Sequence, residues 1–175
     1  MGEDYSKVTR EYLFGTWKYQ KTWNPKVIVE AEGTRFTDSE GKSYLDFSSQ
    51  LVCSNLGHSN QAVKKAVADQ GEELSYISPG FTTPAAAKLA RKLAEVVPGD
   101  ICKTYFSLGG AEANEAAMKI ARFYTKAPKL IARFRSYHGA TSGAISLTGD
   151  PRRLYAPVPP GTVHAPDVYC YRCPF

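Results

Sequence analysis

"FSLGGAEANEAAMKIAR", running from Phe106 to Arg122, has the pattern of a strand, a turn and a helix. An apolar run, Lys103 to Leu108, reads as a short buried strand; two adjacent glycines then turn the chain, and an alanine-rich helix follows. Ala113, Ala116, Ala117, Ile120, Ala121 and Tyr124 recur at helical spacing, and Glu115 and Lys119 form a favourable i, i+4 pair. The start of a helix presents unpaired N–H groups and about half a positive charge, which makes it a natural anion site. Gly109 and Gly110 would let a ligand approach bare backbone. Yet the turn fits neither GxGxxG nor GxxxxGK[ST], so the two common nucleotide fingerprints fail. Two readings stay open on this stretch alone: an anion site, or a tight turn in which Glu112 simply favours the helix dipole.

Working outward, "KLIARFR" (Lys129 to Arg135) is the next strand candidate. Upstream, Thr83 caps a helix with Pro84 at its first position and Pro98-Gly99 as its stop. Its stripe is Ala86, Leu89, Ala90, Leu93, Ala94 and Val97. An earlier helix spans Asn60 to Leu74, capped by Ser59 or Asn60. The order helix, strand, helix, strand predicts an α/β fold with a parallel sheet. The first sixty residues differ. "VIVEAEG" (Val27 to Gly33), "TRF" and "SYLDF" alternate apolar and polar positions around the turn "TDSEGK", which predicts a small β meander. The expected organisation is therefore a β-rich segment, 1–58, followed by the beginning of an α/β domain, 59–175.

The stretch from Asp150 to Phe175 holds six of the chain's 11 prolines and shows no clear strand or helix pattern. A structureless tail of that length is unusual in a compact domain, so the sequence is expected to be the front part of a longer protein.

Composition narrows the function. The chain has 175 residues, 43% hydrophobic and 22% charged, enough for a globular core. No apolar run approaches the ~20 residues that span a bilayer, and the acidic start MGEDYSKVTR is no secretory signal; the expectation is a cytoplasmic protein without membrane association. Net charge is +5, but adjacent bases occur only as isolated pairs, Arg152-Arg153, Lys64-Lys65 and Arg91-Lys92, so no nucleic-acid footprint stands out. Cys170 and Cys173 form a single CxxC with His164 upstream; without a second pair they read as packing or loop cysteines, and no metal site is expected.

Two further stretches carry chemistry. "SYHGATSG", Ser136 to Gly143, follows the strand "KLIARFR", and strand ends are where α/β folds bind ligands. Tyr137 offers a flat face, His138 a titratable group and Gly139 a close approach; alternatively this is a helix start with Thr141 or Ser142 as cap. "YLDFSSQLVCSNLGH", Tyr44 to His58, sets Ser48, Ser49, Gln50, Ser54 and Asn55 around the apolar Leu51 to Cys53. It could line a pocket or merely connect the meander to the helices.

Taken together and in order, the three stretches resemble the class III aminotransferases, the ω-aminotransferase group of fold-type I pyridoxal-phosphate enzymes. "FSLGGAEANEAAMKIAR" is similar to that family's phosphate cup, "SYHGAT" to its aromatic-His-Gly motif, and "GKSYLDFSSQLVCSNLGH" to its segment ending in Asn-x-Gly-His. The resemblance covers the chain from about Trp17 onward and implies pyridoxal 5'-phosphate as cofactor. Gly110 and Ala111 would donate backbone N–H bonds to the phosphate, with Gly109 permitting the approach. Tyr137 would stack on the pyridine ring, and His138 and Gly139 would lie beside it. Leu51, Val52 and Cys53, with Trp17, would face the substrate. The implied activity moves an amino group from an amine or ω-amino acid to a 2-oxo acid, in a homodimer. Many family members carry a serine hydroxyl in the cup; Gly109, Gly110 and Ala111 supply none. The family's cofactor-anchoring lysine and its pyridinium-pairing acid fall beyond Phe175, so this chain alone is expected to be inactive, or to serve as a non-catalytic module that keeps the cup.

Overall fold

The structure, a computed structural model, describes residues 3–155, 157–173 and 175. The chain divides into two compact units, Met1–Thr82 and Thr83–Phe175.

In the first unit the expected meander is present. Strands β1 (Ile28–Glu32), β2 (Arg35–Asp38) and β3 (Ser43–Leu45) form one antiparallel sheet in sequence order. Glu32 faces Arg35, so Gly33 and Thr34 make the tight turn, and Gly33 takes a left-handed φ of 54°. Asp38, nearly fully buried, ties the second turn: its Oδ1 accepts from the N–H groups of Glu40 (3.0 Å) and Lys42 (2.9 Å), and Tyr44 Oη donates to its Oδ2 (2.7 Å). Phe36 and Tyr44 stack across the strands at 5.3 Å, a pairing that stabilises a small sheet.

The meander is not the whole of this unit's start. Helix α1 (Tyr5–Tyr12) precedes it, with the Asp4 carboxylate accepting from Lys7 N–H, and a 3-10 turn follows at Gln20–Thr22. Helix α3 (Gln61–Glu73) closes the unit, and Asn60 Oδ1 caps it through the N–H groups of Ala62 and Val63. This helix groups with the first unit, whose boundary follows Thr82.

In the second unit, α4 (Pro84–Val96) begins as expected, with Thr83 Oγ1 accepting from Ala86 N–H and Pro84 at the first turn. Helix α5 (Gly110–Thr125), strand β4 (Leu130–Arg133), helix α6 (Ser142–Leu147) and strand β5 (Thr162–Ala165) follow. β4 and β5 pair in parallel, Leu130 opposite Thr162 through Arg133 opposite Ala165. Met118, Ala132, Ala144 and Ile145 are the buried apolar core where α5, α6 and β4 meet. Burying a side chain such as Ile145 contributes about 2 kcal/mol.

Two expectations about strands are corrected. Lys103 to Leu108 forms no strand, and Leu108 is almost wholly exposed. A strand exists through ladder hydrogen bonds, and β4 pairs only with β5 among the described residues. Conversely, the proline-rich end contains β5 as well as 3-10 turns at Pro151–Tyr155 and Cys170–Arg172. Four residues between prolines are too short for a periodic signal; pairing with β4 makes them a strand.

Candidate functional site

The N-terminus of α5 is bare. Gly109 is its N-cap in an extended conformation, and no side chain caps it. The α5 glycines answer no demand of the fold. Neither Gly109 nor Gly110 has a positive φ, and a Cβ built on either meets nothing within 4 Å. Glycine there leaves open space over the first N–H groups of the helix, the arrangement that receives an anion. Glu112, the expected first-turn acid, reaches back so that its Oε2 accepts from Leu108 N–H at 2.7 Å. Ser107 brings a hydroxyl to the same turn, donating to the Gly109 carbonyl at 3.2 Å.

The segment after β4 lies against this cup. Gly139 takes a φ of 134°, and a Cβ there would fall 2.6 Å from the Ala111 Cβ and 3.0 Å from the Ala144 Cβ. Only glycine tolerates both the conformation and the approach. Gly110 and Ala111 are thereby brought together with the Tyr137-His138-Gly139 segment.

Sequence reasoning missed the side chains that lock this arrangement. Asn114 Nδ2 donates to the His138 carbonyl at 2.7 Å, and His138 N–H donates to the fully buried Thr148 Oγ1 at 3.0 Å. Glu115 Oε1 accepts from Thr141 Oγ1 (2.6 Å), Gly143 N–H (2.8 Å) and Ala144 N–H (3.1 Å). It therefore caps α6, the task expected of Thr141 or Ser142; Thr141 is the N-cap residue but makes no side-chain cap bond. The Thr141 hydroxyl is the main cause that holds the Glu115 carboxyl below its ordinary range; burial opposes it, and Lys119 acts only as a lesser charge at longer range. The sequence signal was the Asn114-Glu115 pair within an otherwise alanine-rich helix.

Tyr137 is 43% exposed, while the neighbouring His138 Nδ1 is buried and has no hydrogen-bond partner. An orphaned buried polar atom is rare and expects a partner that the chain does not supply. Bare N–H groups, open space at two glycines and this orphan fit a phosphate-bearing planar cofactor. Gly110 and Ala111 would take the phosphate, and Tyr137 and His138 the ring.

The four expected substrate residues belong to the first unit. Ser49–Val52 form a helical turn, α2, of the wrong hand: Ser49, Gln50, Leu51 and Val52 have φ of 48°, 47°, 61° and 67°. Left-handed geometry costs roughly 1–2 kcal/mol per non-glycine residue. Asp46 pins the turn. Its carboxylate accepts from Gln50 N–H (3.2 Å) and Ser54 Oγ (3.1 Å) and meets His58 Nε2 at 2.8 Å. Burial pushes the Asp46 carboxyl up, but the His58, Gln50 and Ser54 hydrogen bonds outweigh it and hold the group below its ordinary range. Leu51, Val52 and Cys53 stand exposed, and Trp17 is itself left-handed at φ 55°.

These features place the chain in a class: an α/β protein with a glycine cup at a helix start and an aromatic-His-Gly segment closed against it. The family profile of the class III aminotransferases matches residues 18–173. The chain belongs to the class III aminotransferase family, with the fold-type I architecture of its structural neighbours. It is 41% identical over 158 residues to a leucine/methionine racemase of Thermococcus litoralis, covering 88% of this chain and 35% of that protein. It is 38% identical to an acetylornithine aminotransferase of Methanopyrus kandleri, covering 81% and 37% of the two chains. Among solved structures, the taurine:2-oxoglutarate aminotransferase of Bifidobacterium kashiwanohense, in complex with PLP and glutamate, superposes with a TM-score of 0.90 at 36% identity. That match covers 98% of this chain and 40% of that one. The chain thus spans little more than a third of the curated relatives it matches. Among the described residues, no helix is long and apolar enough to cross a membrane.

Proposed function

We propose that this chain is the N-terminal, cofactor-gripping part of a pyridoxal-phosphate-dependent aminotransferase. The complete protein would pass an amino group from an amine or ω-amino acid to a 2-oxo acid. When bound, the cofactor supplies an electron sink at the substrate carbon. The N–H groups of Gly110 and Ala111, at the positive end of α5, bind the phosphate. Tyr137 orients the ring by stacking, His138 Nδ1 offers a hydrogen-bonding atom beside it, and Gly139 lets the segment close on Ala111 and exclude water. Trp17 and the Leu51, Val52, Cys53 turn contribute the substrate-facing surface. Residues 1–58 are read as part of a small domain and 59–175 as the beginning of the large one, in a cytoplasmic homodimer. The lysine that anchors the cofactor is expected outside these 175 residues, which leaves this chain alone inactive.

The observation that carries the reading is the close approach of Gly139 to the Ala111 Cβ beside an uncapped helix start. A second reading, amino-acid racemisation, is favoured by the 41% identity to a racemase. Incubating the intact, cofactor-loaded protein with a panel of amino donors separates the two. Transamination requires a 2-oxo acid and yields keto product and new amino acid one for one. Racemisation yields the opposite enantiomer with no acceptor. A protein that binds the cofactor but does neither is a non-catalytic module.

A further inference from the structure

Helix α6, six residues long, is too short to be stable alone, and neighbouring side chains hold it at both ends. Glu115 from α5 caps its start. At the other end, the last carbonyls of a helix lack partners within it. His164, which the sequence offered only as a residue upstream of the CxxC pair, stands there. Its Nε2 lies 3.3 Å from the Leu147 carbonyl oxygen and 3.1 Å from that of Thr148. Both partners are acceptors, so Nε2 carries the hydrogen and donates. Phe134 packs against the imidazole with ring centroids 5.4 Å apart. Thr162, two residues earlier on β5 and so on the same face, makes a second tie: its Oγ1 is 3.1 Å from the Oγ of the buried Ser146. Strands of a parallel sheet ordinarily bury apolar residues. On β5 the residues that meet α6 are a threonine and a histidine, while Val163 is 49% exposed.

What α6 carries gives these ties their use. Gly139 closes on the fully buried Ala144, and Thr148, just past the helix, takes the His138 N–H on its own fully buried hydroxyl at 3.0 Å. That hydroxyl donates in turn to the Ala144 carbonyl at 3.3 Å. With Asn114 donating to the His138 carbonyl, the backbone of His138 is held from both sides. We propose that His164 is a positioning residue for cofactor binding: from β5 it fixes the end of α6, and through Thr148 it fixes the backbone of His138 beside the cofactor. The proposal rests on the pyridoxal-phosphate reading above. Without the imidazole donor, the Leu147 and Thr148 carbonyls lose this tie, and the Thr148 segment shifts together with the His138 peptide. Glutamine can serve in its place, because its amide N–H reaches about as far as Nε2; leucine donates nothing.

The test titrates the intact protein with pyridoxal 5'-phosphate and reads the dissociation constant and the visible circular dichroism per bound cofactor, which reports a fixed ring orientation. Thermal unfolding without cofactor is measured alongside. His164→Leu is expected to raise the dissociation constant about three- to tenfold, the size of one hydrogen bond, and to reduce the dichroism per bound cofactor. His164→Gln should restore most of both. Thr148→Val cuts the same path at its far end; it should act in the same direction, and it serves where His164→Leu fails to fold. Unchanged dissociation constant and dichroism in the variants that fold, even with a lower unfolding temperature, would show a purely structural role and overturn the proposal. A His164→Gln variant as impaired as His164→Leu also overturns it, since the donated hydrogen bond would then not be what matters. A wild-type protein that never develops a visible band instead overturns the pyridoxal-phosphate reading, and the proposal with it.

Discussion

Two loops, one in each unit, are held by a single carboxylate, and they are held for opposite ends. In the second unit Glu115 caps α6 and keeps Tyr137-His138-Gly139 against Ala111, so that relaxed helix starts and glycines present backbone. In the first, Asp46 holds four consecutive non-glycine residues in left-handed geometry, so that exposed Leu51 and Val52 present side chains. A site for a phosphate needs bare N–H groups, and glycine supplies them without strain. A surface that is to recognise an apolar group needs side chains, even where the backbone must be forced to show them.

The largest effect is expected at Gly139. Gly139→Ala would bring a Cβ against Ala111 at φ 134°, a destabilisation of about 2–4 kcal/mol. Thermal unfolding should show it, together with loss of cofactor retention. A variant as stable as wild type would mean the segment does not need to close. Next comes Glu115→Ala, which removes the cap of α6 and should cost about 1 kcal/mol. Denaturant unfolding checks it, and Glu115→Gln should recover part, because the amide oxygen still accepts.

Glycine should act with the opposite sign in the first unit. Val52 is 71% exposed at φ 67°, so Val52→Gly loses little packing and relieves strain; we expect a gain of about 0.5–1 kcal/mol. A loss would show that Val52 packs in a way its exposure hides. The smallest effect is one of pH. The folded Asp46 carboxyl lies below its ordinary range, so its contribution is present above the ordinary carboxylate pKa and fades as pH falls through the folded value. Stability of Asp46→Asn should therefore fall less steeply across that acid window than wild type; parallel slopes would show the group contributes nothing there.

Much of the fold was legible because periodicity and caps are local. Asn60, Thr83 and Pro84 marked their helices, and alternation marked the meander. What was not legible depended on partners distant in the chain. Strand β5 is four residues that become a strand only beside β4, whereas Lys103 to Leu108 looks like a strand and finds no neighbour among the described residues. The site shows the same division. Its candidate residues came from the resemblance of three ordered motifs to one family, but Glu115, read as the partner of Lys119, turns to Thr141 and α6 instead. Asp46 figured only as a letter in the alternating run "SYLDF", yet it meets His58 twelve residues further on. Each has a role set by a contact that spacing does not encode.

We propose that Gly109 to Ala111 and Tyr137 to Gly139 form one cradle for pyridoxal 5'-phosphate. Titration of the intact protein with that cofactor, followed by absorbance at the visible edge, tests it most directly. A saturable band with one cofactor per chain is expected, weakened in Tyr137→Ala by the ~0.5–1.5 kcal/mol of a stacked ring. No band, with tight binding of ATP or NAD in its place, would contradict it.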